Sequence, residues 1–345
     1  MTIRTIVTGG GSIVGQGIIK ALRLSDLSVT VICTDIASIN PGMIRADESM
    51  VMPPVEKAGS LDVWLEEIRR SKANCLMIGS EYDLGFFSEH KHTIERETGC
   101  IVVASPPETV AIADDKARTA DFLESNGLPF PRSATNLSLA DARKWVGERG
   151  FPVVLKPRSG TSARFVQVLD DMESLDYWFG RTPLPMLQEY LKPLPGEFGA
   201  EYTCSTFRLA SGKLLGPFVS RRTLRGGSSW IVEVKTDDEV AGVVMALSHR
   251  IPCMGSLNVQ LMLTERGPVP FELNARFSGT TPIRAFFGFN EPEMAIRSYV
   301  LAENDLNPVI RSGVCVRYVE EIMLEAFQLN DSSAHIPAGV INRWL

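Results

Sequence analysis

Between Arg4 and Ala104 the chain alternates short β-branched runs with amphipathic stretches of helical period, and no other feature limits the fold so tightly. Arg4–Val7 is apolar and ends in Thr8-Gly9-Gly10-Gly11. Residues 13–24 follow with Ile13, Val14, Ile18, Ala21 and Leu22 near helical spacing. The spacing predicts a strand over residues 28–34, a helix over 61–71, a buried strand over 75–78, a helix over 86–98 and a strand over 101–104. Strands separated by helices pair in parallel, because a crossover helix returns the chain to the same end of the sheet. Pro106-Pro107 punctuates the end of this block.

The character then changes. Helices are predicted over residues 116–126 and 138–149, the second with Ser138 as N-cap and Asp141 three residues on. A strand over 151–157 carries a single lysine, and a loop of glycine and hydroxyl residues follows at 158–163. A return strand (164–169), a helix (171–180) and a strand (186–191) complete a small α+β unit that ends in the Pro/Gly stretch 193–196. From Gly199 the pattern is strand-rich, with strands predicted at 200–208, 213–223, 230–235, 255–264 and 268–274. Ser211-Gly212 and Arg266-Gly267 mark turns, and 237–250 reads as a helix. No internal repeat is visible.

Composition excludes several classes. The 345 residues are 44% hydrophobic and 22% charged, which is inconsistent with intrinsic disorder. A net charge of −6 makes a poor general nucleic-acid binder, and the basic cluster Arg221-Arg222 with Arg225 is too small to coat a duplex. No apolar run reaches membrane-spanning length, and the N-terminus has no signal-peptide pattern. The six cysteines are scattered without a Cys-x-x-Cys pair, so a reduced, cytoplasmic setting is the simplest expectation.

Four segments carry chemistry. TGGGSIVGQG (8–17) fails the strict Gly-x-Gly-x-x-Gly spacing, so a tight strand-to-helix turn in a Rossmann-like domain is preferred over a nucleotide site. Asp35 ends the second strand, either as a ribose-binding acid or as a turn residue. In FELNARFSGTT (271–281) strand alternation sets Glu272, Asn274 and Arg276 on one face and Phe271, Leu273 and Ala275 on the other. In LNVQLML (257–263) Gln260 shares a face with Asn258, and the turn at Arg266-Gly267 brings it back toward Glu272. Carboxylate and amide oxygens suit Mg²⁺, and the arginine fork suits phosphate. Lys156 ends an apolar strand, where a lysine needs an anionic partner. The loop after it offers backbone N–H groups and hydroxyls to phosphate without being a Walker A sequence.

These pieces, in this order, resemble the ATP-grasp superfamily of carboxylate–amine ligases, in particular the branch similar to the carbamoyl-phosphate synthase large subunit. The matching segments are GGGSIVGQG, ADDKARTADFLESNGLPFP, FPVVLKPRSGTSARFV, LQEYLKPLPGEFGAEYTC, LNVQLML and FELNARFSGTT. The resemblance implies a Rossmann-like first domain (1–113), a small lid domain (114–192) and a larger mixed-sheet C-terminal domain (193–345). Lys116 and Lys156 would hold ATP phosphates, with Ser159, Gly160, Thr161 and Ser162 in a loop that closes over them. Gln188, Glu189, Tyr190 and Leu191 would form the hinge against adenine. Glu201 is preferred for the ribose hydroxyls, with Glu197 as the alternative. Gln260, Glu272 and Asn274 would bind Mg²⁺, with Mn²⁺ as a stand-in, and Arg276 would stabilise the transferring phosphoryl group.

Substrate groups are read more coarsely. Arg284 and Arg222 are candidates for clamping a substrate carboxylate, and Arg221 and Arg225 are further basic candidates. Glu81 and Asp83 are candidates for a substrate amine. Each has an ordinary alternative, a surface salt bridge for Arg284 and a loop charge for the others. The four histidines suggest no site. The expected function is ATP-dependent joining of a small carboxylate, such as an amino acid, to an amine, with a homodimer through the first domain. The rivals are a carbamoyl- or carboxyphosphate-type synthetase and a non-catalytic nucleotide-binding regulatory protein.

Overall fold

Three sheets build the molecule. The structure, a computed structural model, describes residues 2–160, 165–196 and 198–323. The first sheet contains Ile3–Val7, Val29–Asp35, Glu48–Val51, Cys75–Met77 and Ile101–Val103, all paired in parallel. Reading across it, the order is Glu48–Val51, Val29–Asp35, Ile3–Val7, Cys75–Met77, Ile101–Val103. The order reverses beside Ile3–Val7, and at such a reversal the loops leaving the carboxyl ends diverge and open a crevice. Those loops are the glycine turn after Val7 and the segment Ile78–Ser80.

The glycine turn is a structural device, as its spacing suggested. Ser12 caps the helix Ile13–Arg23 by accepting the Gly15 N–H at 2.9 Å. Asp35 accepts the Gly11 N–H at 2.8 Å, which serves the turn. The two loops touch backbone to backbone: a Cβ on Gly79 would lie 2.2 Å from the Thr8 carbonyl oxygen and 2.5 Å from Gly15 Cα. Gly79→Ala is therefore expected to cost about 1–3 kcal/mol through overpacking. A urea midpoint unchanged from wild type would show that the loops separate freely.

The helix Glu81–Thr98 starts five residues before the predicted Phe86. Glu81 and Asp83 suit a first turn because the helix N-terminus carries partial positive charge. The earlier start puts Glu81 at the crevice.

The second sheet is antiparallel and four-stranded, in the order Ser133–Thr135, Pro185–Glu189, Val153–Pro157, Gln167–Leu169. Helices Leu139–Arg149 and Met172–Phe179 cover it with a core of its own, including Val146, Leu155, Leu175 and Leu187. The capping box of Ser138 and Asp141 is present.

The third sheet is the largest, in the order Gly267–Asn274, Gly255–Thr264, Glu201–Arg208, Ser220–Arg225, Ser228–Val234, Gly313–Val316, with Leu214–Phe218 also on Glu201–Arg208. The single strand predicted over 213–223 is thus two. The two part at Val219; Gly216, with φ +97°, and Pro217, with no N–H to donate, lie within the first of them and shift its register on Glu201–Arg208. One face of this sheet shares a core with the first sheet, where Val7, Ile18 and Val31 meet Phe207, Phe218 and Phe289. Each buried phenylalanine is worth about 1.5–3 kcal/mol. The helix Lys116–Ser125 packs on the same large sheet, with Leu123 among Val240, Leu257 and Leu273. Among the described residues no helix is long and apolar enough to cross a membrane.

Candidate active site

The strand register of the large sheet assembles a polar row. Gln260 pairs with Glu272 on one side and with Thr203 on the other. Tyr202 pairs with Arg221, so the antiparallel register sets Glu201 opposite Arg222. Residues of one register share a face. The alternation predicted in 271–276 holds in part: Leu273 and Ala275 are buried in the core, and Glu272, Asn274 and Arg276 face a cavity of about 700 Å³, but Phe271, at a register shift, is half-buried and lines the same cavity.

This row is hydrogen-bonded end to end. Arg222 donates to Glu201 Oε1 from Nε at 3.0 Å and from Nη2 at 2.6 Å, and to Gln260 Oε1 at 2.7 Å. Gln260 Nε2 donates to Glu272 Oε1 at 2.8 Å, and Asn274 Nδ2 donates to the same oxygen at 3.0 Å. Arg276 donates to Asn274 Oδ1 at 2.9 Å and ion-pairs with Glu81 from the first sheet's crevice. Burial pushes the Arg276 guanidinium down to about 10, which leaves it charged at neutral pH.

Lys156 enters from the second sheet. It is 5% exposed, and its Nζ donates to Gln188 Oε1 at 2.7 Å. Burial first, and the charge of Lys116 second, push its pKa down to about 8. Gln188 is neutral, so it holds the ammonium without cancelling its charge, which stays available to an anion. Lys116 begins its helix behind Asp115, which pairs with Arg158 at 2.5 Å, and its Nζ reaches the Gly160 carbonyl at 3.2 Å.

Most of the expected site residues meet at this one cavity. Lys116, Lys156, Gly160, Gln188, Glu189, Tyr190, Leu191, Glu201, Arg222, Gln260, Glu272, Asn274, Arg276 and Glu81 all line it. The Glu189 carboxylate is engaged by Arg266. Ser159 is exposed and does not line it, and Thr161, Ser162 and Glu197 lie outside the described residues. Asp83, Arg221 and Arg225 are also absent from the lining: burial pushes the Asp83 carboxyl up to about 6, Arg221 pairs with Glu233, and Arg225 stacks on Trp230.

Arg284 requires a correction. The expected carboxylate clamp is 0% exposed and lies beneath the floor of the cavity. Its Nη1 sits 3.2 Å from both oxygens of Glu291, which is equally buried, and its Nη2 donates to Asn258. It holds Asn258, a lining residue, and does not itself meet the cavity.

Arg317 was missed. It leaves the edge strand Gly313–Val316, donates to the Gly279 carbonyl at 2.7 Å and lines the cavity beside Ser278–Thr280. The available signal was strand alternation: Val314 and Val316 are exposed, so Cys315 and Arg317 turn inward.

The donor set suits a hard divalent cation. Glu272, Gln260 and Asn274 supply one carboxylate and two amide oxygens on one wall, and among the described residues no group donates to Glu272 Oε2. Among the described residues no three His, Cys, Asp or Glu side chains gather as a metal cluster, so this site is poor in charge.

Residues 182–322 match the family described as "ATP-grasp in the biosynthetic pathway with Ter operon". Residues 182–322 are therefore similar to an ATP-grasp domain. The match takes in residues 188–191, the polar row from Glu201 to Arg276, and Arg317. The ATP-grasp fold extends further: N5-carboxyaminoimidazole synthetase from Staphylococcus aureus, complexed with ADP, superposes with a TM-score of 0.72 over 92% of this chain and 82% of that one, at 14% identity. The biotin carboxylase domain of Hydrogenobacter thermophilus 2-oxoglutarate carboxylase, a dimer in complex with MgADP, ADP and bicarbonate, gives 0.69 over 90% and 73%, at 16% identity. In sequence, the carbamoyl phosphate synthase large chain of Mycobacterium tuberculosis (strain H37Rv) is 25% identical over 301 residues, 80% of this chain and 26% of that one. The phosphoribosylamine–glycine ligase of Pyrococcus abyssi is 24% identical over 69% of this chain and 59% of that one. The chain thus spans about a quarter of the length of the carbamoyl phosphate synthase relatives it matches.

Proposed function

We propose that this chain is an ATP- and Mg²⁺-dependent ligase that activates a small carboxylate as an acyl phosphate and passes it to an amine. The observation that carries the reading is the meeting of Lys116, Lys156, Arg276 and the Gln260–Glu272–Asn274 wall around one cavity, with the hinge Gln188–Leu191 on the same lining. Adenine would lie along the hinge, with the ribose hydroxyls donating to Glu201. The two lysines would hold the phosphates. Glu272, Asn274 and Gln260 would hold Mg²⁺, which when bound neutralises phosphate charge as a Lewis acid.

In the first step a carboxylate oxygen attacks the γ-phosphorus, the bond to the β,γ-bridging oxygen breaks, and ADP leaves. Arg276 and Lys156 stabilise the charge on the transferring group. In the second step the amine nitrogen attacks the acyl carbon, phosphate leaves, and the nitrogen loses a proton. Arg276 and Arg317 flank Ser278–Thr280, which suits the anionic substrate. Glu81, at the crevice of the first sheet, would turn toward the amine once an anion takes its place on Arg276.

The test is release of ADP and phosphate with a panel of carboxylates, bicarbonate included, and amines. Substrate-stimulated ADP release is expected. ATP binding without such release would overturn the ligase reading in favour of a regulatory nucleotide-binding protein. Stimulation by bicarbonate alone would favour carboxyphosphate chemistry, which the names of the relatives make the second reading.

Lys156 supplies a pH signature. With its pKa near 8, it is protonated below that value and neutral above it. Phosphate binds the protonated form, so ADP affinity is expected to fall about tenfold per unit as pH rises past 8. Calorimetry at pH 7 and pH 9 reads this directly. The same fall in Lys156→Met would assign it to another group.

A further inference from the structure

We propose that Arg222 and Arg276 hold the amide oxygens of Gln260 and Asn274 away from the metal position, so that the metal binds well only when a nucleotide draws the arginines off. The inference rests on the cavity being a metal–nucleotide site. A guanidinium only donates hydrogen bonds. The Gln260 atom 2.7 Å from Arg222 is therefore the oxygen, and its nitrogen faces Glu272. Asn274 is held the same way, with its oxygen on Arg276 at 2.9 Å and its nitrogen on Glu272 at 3.0 Å.

Both amides thus present N–H dipoles to the carboxylate that would receive the cation. A cation at Glu272 meets the wrong end of each. To coordinate, each amide has to make a half turn and give up its arginine. Both arginines are anchored at their far sides, Arg222 on Glu201 and on Ser229 Oγ at 3.0 Å, and Arg276 on Glu81. The result is one chain of seven side chains, Glu201–Arg222–Gln260–Glu272–Asn274–Arg276–Glu81.

A polyphosphate competes for guanidinium groups more strongly than a neutral amide does. Each arginine that turns to phosphate frees one amide oxygen for the metal. Nucleotide and metal binding are then positively coupled, and the coupling is reciprocal. With one carboxylate in the set, the protein alone offers little charge to hold a divalent ion. Arg222 is a positioning residue in this scheme and not a substrate clamp.

Mn²⁺ binding to the nucleotide-free protein, read by electron paramagnetic resonance, separates this device from simple charge repulsion. Arg222→Lys keeps the charge, but one ammonium does not bridge Glu201 and Gln260 as the fork does. It is expected to bind Mn²⁺ about five- to tenfold tighter than wild type, and Arg222→Met at least as much. Adding Glu272→Gln should erase the gain. Tightening in Arg222→Met with none in Arg222→Lys would reduce the effect to electrostatics and overturn the proposal. So would wild-type affinity in both. Arg276→Lys, measured the same way, decides the matter if the Arg222 variants do not fold. ADP titration without divalent metal is the separate arm: failure of ADP to bind wild type removes the nucleotide reading, while the Mn²⁺ measurements still judge the lock.

Discussion

Glu272→Gln is expected to lower substrate-stimulated ADP release by about 10²–10³-fold or more while leaving the unfolding free energy, read by urea denaturation, within about 0.5 kcal/mol of wild type. Glu272 is the one carboxylate among the three proposed metal ligands, and its Oε1 accepts from both Gln260 and Asn274. Glutamine keeps the size and an acceptor but removes the charge that a divalent ion needs. Stability should change little, because Glu272 faces the cavity and its neighbours Leu273 and Ala275 carry the packing. Retained turnover would put the metal elsewhere. Lost turnover with a collapsed midpoint would mean that the row is needed for folding.

The largest stability effect is expected at Arg284→Met. Arg284 and Glu291 are both 0% exposed, and Glu291 also accepts from Ser205 at 2.5 Å, Ser256 at 2.6 Å and Thr281 at 3.1 Å. Removing the arginine leaves a buried carboxylate without its counter-charge, which costs about 3–5 kcal/mol. Replacing both partners with apolar residues should recover much of that loss, because no lone charge remains. Chemical denaturation checks both. A substrate clamp would behave differently, raising KM in Arg284→Met with the unfolding midpoint unchanged.

How far the sequence could be read follows from the range of its signals. Strand period is local, so the shared face of Glu272, Asn274 and Arg276 was legible, and the turn at Arg266-Gly267 extended it to Gln260. Four strands of the parallel first sheet were legible from their alternation with helices for the same reason, whereas its short edge strand Glu48–Val51 was not. Register across distant strands is not local. The pairing that brings Arg222 to Glu201 depends on Ser220–Arg225 docking beside Glu201–Arg208, and that run was read as part of one longer strand. Arg284 was misread because a charge in a short helix looks exposed until Glu291, seven residues on, is known to fold beneath it. Arg317 sits on an edge strand that owes its place to the neighbouring strand Ser228–Val234 and not to its own pattern.

The cores described above also divide the molecule mechanically. The first and largest sheets are welded by one apolar cluster, so prying them apart would wet phenylalanine and isoleucine side chains. The four-stranded sheet keeps its oil to itself and is moored by polar ties, among them Asp115–Arg158, Glu189–Arg266 and the Leu194 N–H on the Leu263 carbonyl at 2.9 Å. Polar ties can be exchanged for water at small cost, whereas an opened core cannot. Local opening is therefore expected to cost least in the unit that carries Lys156, and hydrogen exchange there should be faster than in the strands of the shared core.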